Sequence, residues 1–450
     1  GNGSYSTADS YVKQVWDGRY TGIRMCNQLL ENIDRVPDLD PELKKRYIGE
    51  AKVLRAYNYY ELYTKFGDVP YTTKVLSIKE SMSIARTDRA TVIANMLADL
   101  DEVINGNYLP ASYDADNKGR ITRWAAMAIK AKIYLFEGNW TQVKNITSTI
   151  MTEGGFRLFG SYAGLFEIAN EYNSEVILDA QYRPTSREHQ MMYVFLPPTL
   201  GGYSQLSPLQ ELVDSYIMLD GKTIRETGTS FDESNPYANR DPRLKATVMY
   251  TGNSYTLADG TEVVINCEKG EGKDGYGVGS DCSATGYYIK KYWDNTYRAT
   301  LYSGLNPILI RYADILLMNA EALAELGELD KTAWDATIKP IRDRAGFTLA
   351  SAVEFPEGAS KDKLIEIVRN ERRSELALEG HRHKDIIRWR IADDVLNGWC
   401  HGLKTNEVVG TDNGYVRVEN RAFNANKHYL WPIPQAERDL NGNLVQNPNW

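Results

Sequence analysis

Ala131-Lys-Ile-Tyr-Leu-Phe-Glu-Gly138 and Ala320-Glu-Ala-Leu-Ala-Glu-Leu-Gly327 read as two copies of one helix end. Each has a small residue seven positions before a glycine. Each glycine is followed two residues later by a bulky apolar side chain, Trp140 or Leu329. This is the tetratricopeptide-like pattern, in which a helix stops, turns on the glycine and is followed by a returning helix. Tyr60-Glu-Leu-Tyr-Thr-Lys-Phe-Gly67 is a third helix end of the same kind. The spacing between copies is irregular, so the pattern predicts degenerate helix hairpins and not a uniform solenoid.

Working outward, Val12, Val15, Trp16, Ile23, Leu30 and Ile33 recur at three-, four- and seven-residue intervals and predict a helix with one apolar face. Further helices are predicted from Glu42 to Phe66, Thr91 to Ile104 and Thr122 to Glu137. From Thr152 to Asn306 the texture changes to Gly, Pro, Tyr, Asn and Ser, with possible strands at Val176–Ala180 and Thr261–Asn266. Helices resume at Pro307–Leu326, Ala333–Ala345, Lys361–Glu379 and His383–Leu396, and a loop-rich tail runs to Trp450. The predicted fold is mainly α: a tetratricopeptide-like helix-hairpin scaffold with a large irregular insertion. Its parts are 1–151, 152–306 and 307–450, within one compact domain. An ordered insertion of that length usually carries function.

The chain has 450 residues, 42% hydrophobic and 25% charged, which is the balance of a globular protein. Its net charge of −8 argues against a nucleic-acid partner, which selects a basic surplus. No apolar run reaches the roughly 18 residues a membrane-spanning helix needs. Thirty Tyr and nine Trp stand against ten Phe. That excess suits wet helix packing or a surface for a flat, polar ligand. Cys26 and Cys400 read as buried small hydrophobes, whereas Cys267 and Cys282 flank a Gly-rich loop and are expected to close it as a disulfide.

Chemical motifs are few. Gly270-Glu-Gly272-Lys-Asp-Gly275 matches a dinucleotide fingerprint, but Tyr276-Gly-Val-Gly279 follows it and starts a helix poorly, so a flexible loop is expected. His381 and His383 would diverge on a helix and cannot chelate one ion from a single face. Neither a catalytic constellation nor a metal site is expected, and no cofactor. Glu366, Arg369, Glu371, Arg372, Arg373, Glu375 and Glu379 crowd one helix. Opposite charges three apart meet on a helix surface, so Glu366/Arg369 and Arg372/Glu375 are expected to pair there. Carboxylates neutralised by Arg make poor general acids.

Tyr287-Tyr288-Ile-Lys-Lys-Tyr292-Trp293-Asp294-Asn295-Thr-Tyr297-Arg298 alternates aromatic with hydrogen-bonding groups. Sugars offer an apolar ring face and a hydroxyl rim, which such a mixture fits; an edge hairpin packed on the scaffold is the alternative. Trp293, Tyr297 and Tyr203 are the expected ligand platforms, with Tyr292, Asp294, Asn295 and Arg298 beside them and Tyr5 as a further candidate. Tyr203 follows Gly201-Gly202, where a bare backbone would let a ligand come close.

Several stretches together resemble the SusD/RagB-like outer-membrane nutrient-binding lipoproteins of Bacteroidetes-type bacteria. They are Phe66-Gly-Asp-Val-Pro-Tyr71, Arg123-Trp-Ala-Ala-Met-Ala-Ile-Lys-Ala-Lys-Ile-Tyr-Leu135 with Trp140, and Asp241-Pro-Arg-Leu244. Pro307 to Ala322, Arg342-Asp-Arg-Ala-Gly346 and Glu371 to Gly380 through Arg388-Trp389 follow in family order. Leu430-Trp-Pro-Ile-Pro434 and Gln446-Asn-Pro448 complete the set. The resemblance implies a non-enzymatic protein on tetratricopeptide-like helix pairs, at the extracellular face of the outer membrane. It implies membrane contact only through an N-terminal lipid anchor, absent before Gly1. It also implies a glycan ligand and a SusC-like TonB-dependent transporter as partner. Family members bind through loop residues that differ between them, so the sites expected here rest on loop chemistry alone. The rival readings are a glycoside hydrolase on a helical scaffold and a tetratricopeptide-type peptide-binding scaffold.

Overall fold

A computed structural model describes residues 3–296 and 301–450. The chain forms two compact units. The first is built from 1–154, 383–397 and 421–450, and the second from 155–382 and 398–420. The change of texture at Thr152 falls near the first passage between units. The boundary expected at 306/307 lies inside the second unit for a physical reason: Ile308–Arg311 is a strand, β6, paired antiparallel with β1 (Val176–Asp179). The helix expected from Pro307 therefore begins only at Tyr312.

The first unit is helical. α1 (Ser10–Asn32) packs on α2 (Pro41–Phe66), α2 on α3 (Arg89–Asn105), and α4 (Arg123–Phe136) on α5 (Trp140–Glu153). Each start is capped. Asp9, Asp40, Asp88, Thr122 and Asn139 accept hydrogen bonds from backbone N–H groups of the first turn, and Pro41 sits where its missing N–H costs nothing. Of the α1 face read from sequence, Val12, Trp16, Ile23 and Ile33 are buried. The ring of Trp140 lies against Gly138, whose φ of 69° turns the chain from α4 into α5. Gly67 and Gly327 close the other two look-alike helix ends, also at positive φ.

In the second unit α6 (Tyr312–Leu326) packs on α7 (Lys331–Ala345) and on α8 (Lys361–Glu375). A core of Phe166, Met192, Phe195, Val213, Tyr216, Tyr255 and Tyr288 lies among the insertion loops and three two-stranded sheets. The insertion is thus a packed structure and not an open loop. The helix predicted over His383–Leu396 is two short ones, Arg382–Arg388 and Ala392–Val395, broken at Arg390 with φ 58°. The expected loop-rich tail holds a three-stranded sheet of order β7-β9-β8, namely Asn397–Lys404, Tyr415–Ala422 and Thr411–Asp412.

All four cysteines are free thiols. The Cys267–Cys282 bridge is not formed: Cys267 is buried in the core, while the Cys282 thiol donates to the Lys273 carbonyl at 3.1 Å. The Gly-rich loop is closed instead by short backbone bonds, such as Gly270 N–H to Tyr276 and Tyr276 N–H to Cys267.

The acids of α8 pair with arginines, but across elements. Glu375 binds Arg311 at 2.6 Å, Arg243 at 2.8 Å and Arg344. Glu371 binds Arg243 and Arg342, Glu379 binds Arg311 and Lys291, and Arg372 reaches Asp314 at 2.6 Å. The expected Arg372/Glu375 surface pair gives way to these because the helix face carrying it is buried, whereas Glu366 and Arg369 lie off that face. Glu366 pairs with Lys363, and Arg369 with Glu325.

The β7–β9 hairpin is tied down by His401, whose ring contacts Glu211 at 2.8 Å and Asp412 at 3.0 Å. Partial burial opposes the charged ring, but the two carboxylates outweigh it and raise its pKa. A raised folded pKa means that the stabilisation is complete below the unfolded value of about 6.5 and fades as pH rises through the folded one. The stability gap between wild type and His401→Gln is therefore expected to shrink as pH rises above about 6.5, through the raised folded value. Thermal melts of both proteins across that range check it; a constant gap would show that the ring does not titrate there.

Candidate functional site

Two insertion segments, 181–206 and 301–306, are zipped together by a backbone bridge between His189 and Ser303, with N···O distances of 2.9 and 3.0 Å. The His189 ring contacts the Leu305 carbonyl, and the Asn306 side chain accepts the Tyr182 N–H. A 3₁₀ turn at Pro198–Leu200 ends on Gly201, φ 82°. A Cβ on Gly202 would lie 2.1 Å from the Leu196 carbonyl oxygen. Gly201 thus serves the turn, and Gly202 its packing against Leu196. The turn returns the chain so that Tyr203 N–H donates to Tyr193 O at 3.0 Å. The two phenol rings then lie face to face, 4.3 Å apart and 31° from parallel, with Tyr203 40% exposed. A Cβ on Gly201 would be 3.6 Å from the Leu301 side chain, so this turn adjoins the 301–306 segment.

The residues expected from sequence divide sharply. Tyr203 stands in the stacked pair. Trp293 is half-buried, 5.0 Å from the Tyr255 ring, and its indole N–H donates to the Thr256 carbonyl at 2.9 Å. Asn295 is exposed. Tyr292 is corrected to a core residue: it is 5% exposed and set edge-on to Phe166 at 4.9 Å. Asp294 is corrected as well. At 1% exposure it accepts bonds from Thr296 and Ser303 and so holds its own loop. Tyr297 and Arg298 lie outside the described residues. Tyr5 is in the first unit, among the rings of His428, Trp450 and Trp431, where burial and the nearby Asp9 raise its phenol to about 12. It packs there as a structural ring.

Sequence reasoning missed Tyr193 and Tyr182. Tyr193 sits in Met191-Met-Tyr-Val-Phe195, a run that reads as plain core. Tyr182 meets the His189 ring edge-on at 4.7 Å, with the Arg187 guanidinium over it at 5.5 Å. Glu171 and Asp179 also border these segments. Burial raises both carboxyl pKa values, yet Glu171 accepts the Asn306 N–H and Asp179 accepts its side-chain amide. Among the described residues no group of three His, Cys, Asp or Glu is arranged to hold a metal ion, and no helix is long and apolar enough to cross a membrane.

A helical scaffold whose loops present paired rings defines a loop-bearing, helix-hairpin protein. Comparison with known proteins gives its family. The SusD family profile matches residues 165–450, and a second, described as starch-binding associating with outer membrane, matches residues 2–135. The chain belongs to the SusD family. It is 28% identical to SusD-like protein P25 of Formosa agariphila, over 97% of this chain and 78% of that protein. A crystal structure of a SusD-like carbohydrate-binding protein from Bacteroides fragilis superposes with a TM-score of 0.89 at 30% identity, covering 99% of this chain and 88% of that one. A laminarin-binding SusD-like protein gives 0.67 at 25% identity, covering 97% and 85%.

Proposed function

We propose that the protein is a non-catalytic glycan-binding protein of the outer cell surface. It captures oligosaccharide on the face formed by 181–206 and 301–306 and passes it to a SusC-like TonB-dependent transporter. The Tyr193/Tyr203 pair carries this reading, because the Tyr203 ring, exposed on a loop surface and backed by Tyr193, offers the flat apolar platform a sugar ring covers. Trp293 and Asn295, on the 292–296 segment, are further candidate contacts. The carbohydrate-binding and laminarin-binding relatives support the ligand class. The SusD family membership supports the transporter partner and the lipid-anchored location.

A few aromatic contacts and hydrogen bonds of ~1 kcal/mol each give millimolar to tens-of-micromolar affinity, which suits cargo that must be released. Tyr203→Ala is expected to weaken oligosaccharide binding by about 1 kcal/mol or more, read by titration calorimetry. Normal binding by Tyr203→Ala, Tyr193→Ala and Trp293→Ala alike would rule out this face. One observation favours hydrolysis instead, the raised carboxyl pKa values of Glu171 and Asp179. Both groups already hold Asn306, so no new reducing ends are expected from any bound polysaccharide. Reducing ends that disappear in Glu171→Gln would establish the hydrolase.

A further inference from the structure

We propose that a cavity in the first unit binds a charged saccharide through its acid group, a uronate carboxylate or a sulfate ester. The cavity has a volume of about 340 Å³, and Arg89, Arg388 and Arg390 all line it. Three guanidiniums on one small cavity stand out in a chain of net charge −8. Among the described residues no carboxylate shares the lining. Guanidinium groups present planar donor pairs that match carboxylate and sulfate oxygens.

The three are not equally committed elsewhere. Arg388 is held by Asp385 at 2.9 Å, and Arg89 by Glu137. Arg390 rests over the Tyr429 ring at 3.8 Å and, among the described residues, has no carboxylate partner. Its backbone lies at φ 58°, a conformation costly for a residue with a long side chain and one that clusters at functional sites. One donor at this cavity's lining is also unused: Arg89 Nε is buried without a hydrogen-bond partner. Tyr63 is 1% exposed, and its hydroxyl is engaged by Glu137, which lies outside the lining.

The volume falls at the low end of small-molecule sites, about 300–1,000 Å³, and exceeds the needs of a bare anion. Phe136, Ile387 and Leu430 supply an apolar wall, which suits the C–H face of a sugar ring. The anion preference stands on this geometry alone, whereas the saccharide carrying it rests on the glycan-binding reading above.

The experiment titrates the full chain with sodium glucuronate, glucose 6-sulfate, glucose and inorganic sulfate. At least one charged sugar is expected to bind tenfold or more tighter than glucose and than inorganic sulfate. Arg390→Gly, which relieves the left-handed backbone and so does not threaten the fold, should weaken that binding about tenfold. Arg89→Gln should weaken it as well, and Tyr203→Ala should leave it unchanged. Glucose binding as tightly as the charged sugars overturns the proposal. So does inorganic sulfate binding as tightly, which would mark a free-anion site, or charged-sugar binding indifferent to both arginine variants. Arg390-dependent binding of a charged sugar, alongside no neutral-oligosaccharide binding at the Tyr193/Tyr203 face, would uphold this site and refute the face.

Discussion

Glu375→Ala is expected to destabilise the second unit by about 3–5 kcal/mol. Glu375 is fully buried and stands among Arg243, Arg311 and Arg344, each of which also serves another acid: Arg243 serves Asp241 and Glu371, Arg311 serves Glu175 and Glu379, and Arg344 serves Glu175. Deleting the carboxylate leaves guanidinium charge in a dry site with one acceptor fewer, and that uncompensated charge is the main cost. Chemical denaturation of wild type and variant reads the difference. An unchanged midpoint with lost ligand binding would instead make Glu375 a ligand contact. The pH dependence follows from the same contacts. Burial favours the neutral acid, but the neighbouring arginines overcome it and hold Glu371, Glu375 and Glu379 below the usual carboxylate range. Their contribution is thus complete above the unfolded value of about 4.3 and is lost as pH falls through the lower folded values. The gap between wild type and Glu375→Ala should narrow in strong acid.

Tyr292→Ala is expected to cost about 3–5 kcal/mol of stability, the range for deleting a buried aromatic ring. Its ring supports Phe166 edge-on, and Phe166 in turn lies beneath the Lys291 ammonium at 4.2 Å. Removing Tyr292 opens a cavity beside a buried cation that burial has already lowered to a pKa of about 8, against the pull of Glu379. Tyr203→Ala, at the surface, should stay within about 0.5 kcal/mol of wild type while losing affinity. Comparing denaturation midpoints with oligosaccharide titrations separates the two roles. A stable Tyr292→Ala that no longer binds sugar would return that ring to the site.

Those two tyrosines show where the sequence was legible. Helices announce themselves through local spacing, so α1, α2 and the hairpin at Gly138 could be read from single stretches. Ile308–Arg311 could not, since a four-residue apolar run suits a helix start or a strand equally, and its partner Val176–Asp179 is far away in sequence. The tail strands escaped for a related reason: Asn397–Lys404 carries two glycines and no apolar alternation, and only pairing with Tyr415–Ala422 makes it part of a sheet. At the candidate site the chemistry of Tyr292-Trp293-Asp294 was legible but its burial was not. Without a helical or strand period, nothing in the sequence says which neighbour faces inward. Tyr193 stayed hidden because its partner Tyr203 is brought to it by the turn at Gly201-Gly202.

The interleaving of the two units has a consequence for how the protein is made. The first unit takes its last piece from Arg421–Trp450, where Asn447 donates to the Phe66 carbonyl and accepts from Arg86. A chain emerging from a ribosome carries Phe66 and Arg86 long before Asn447 exists. The amino-terminal helices must therefore wait, with the groups that Asn447 will satisfy still open, until Asn447 has been made. Contacts of such long sequence separation form slowly, and waiting intermediates expose apolar surface that invites aggregation. Protection of that interval by a holding chaperone, or completion of folding only after export, would follow from the order of the chain alone.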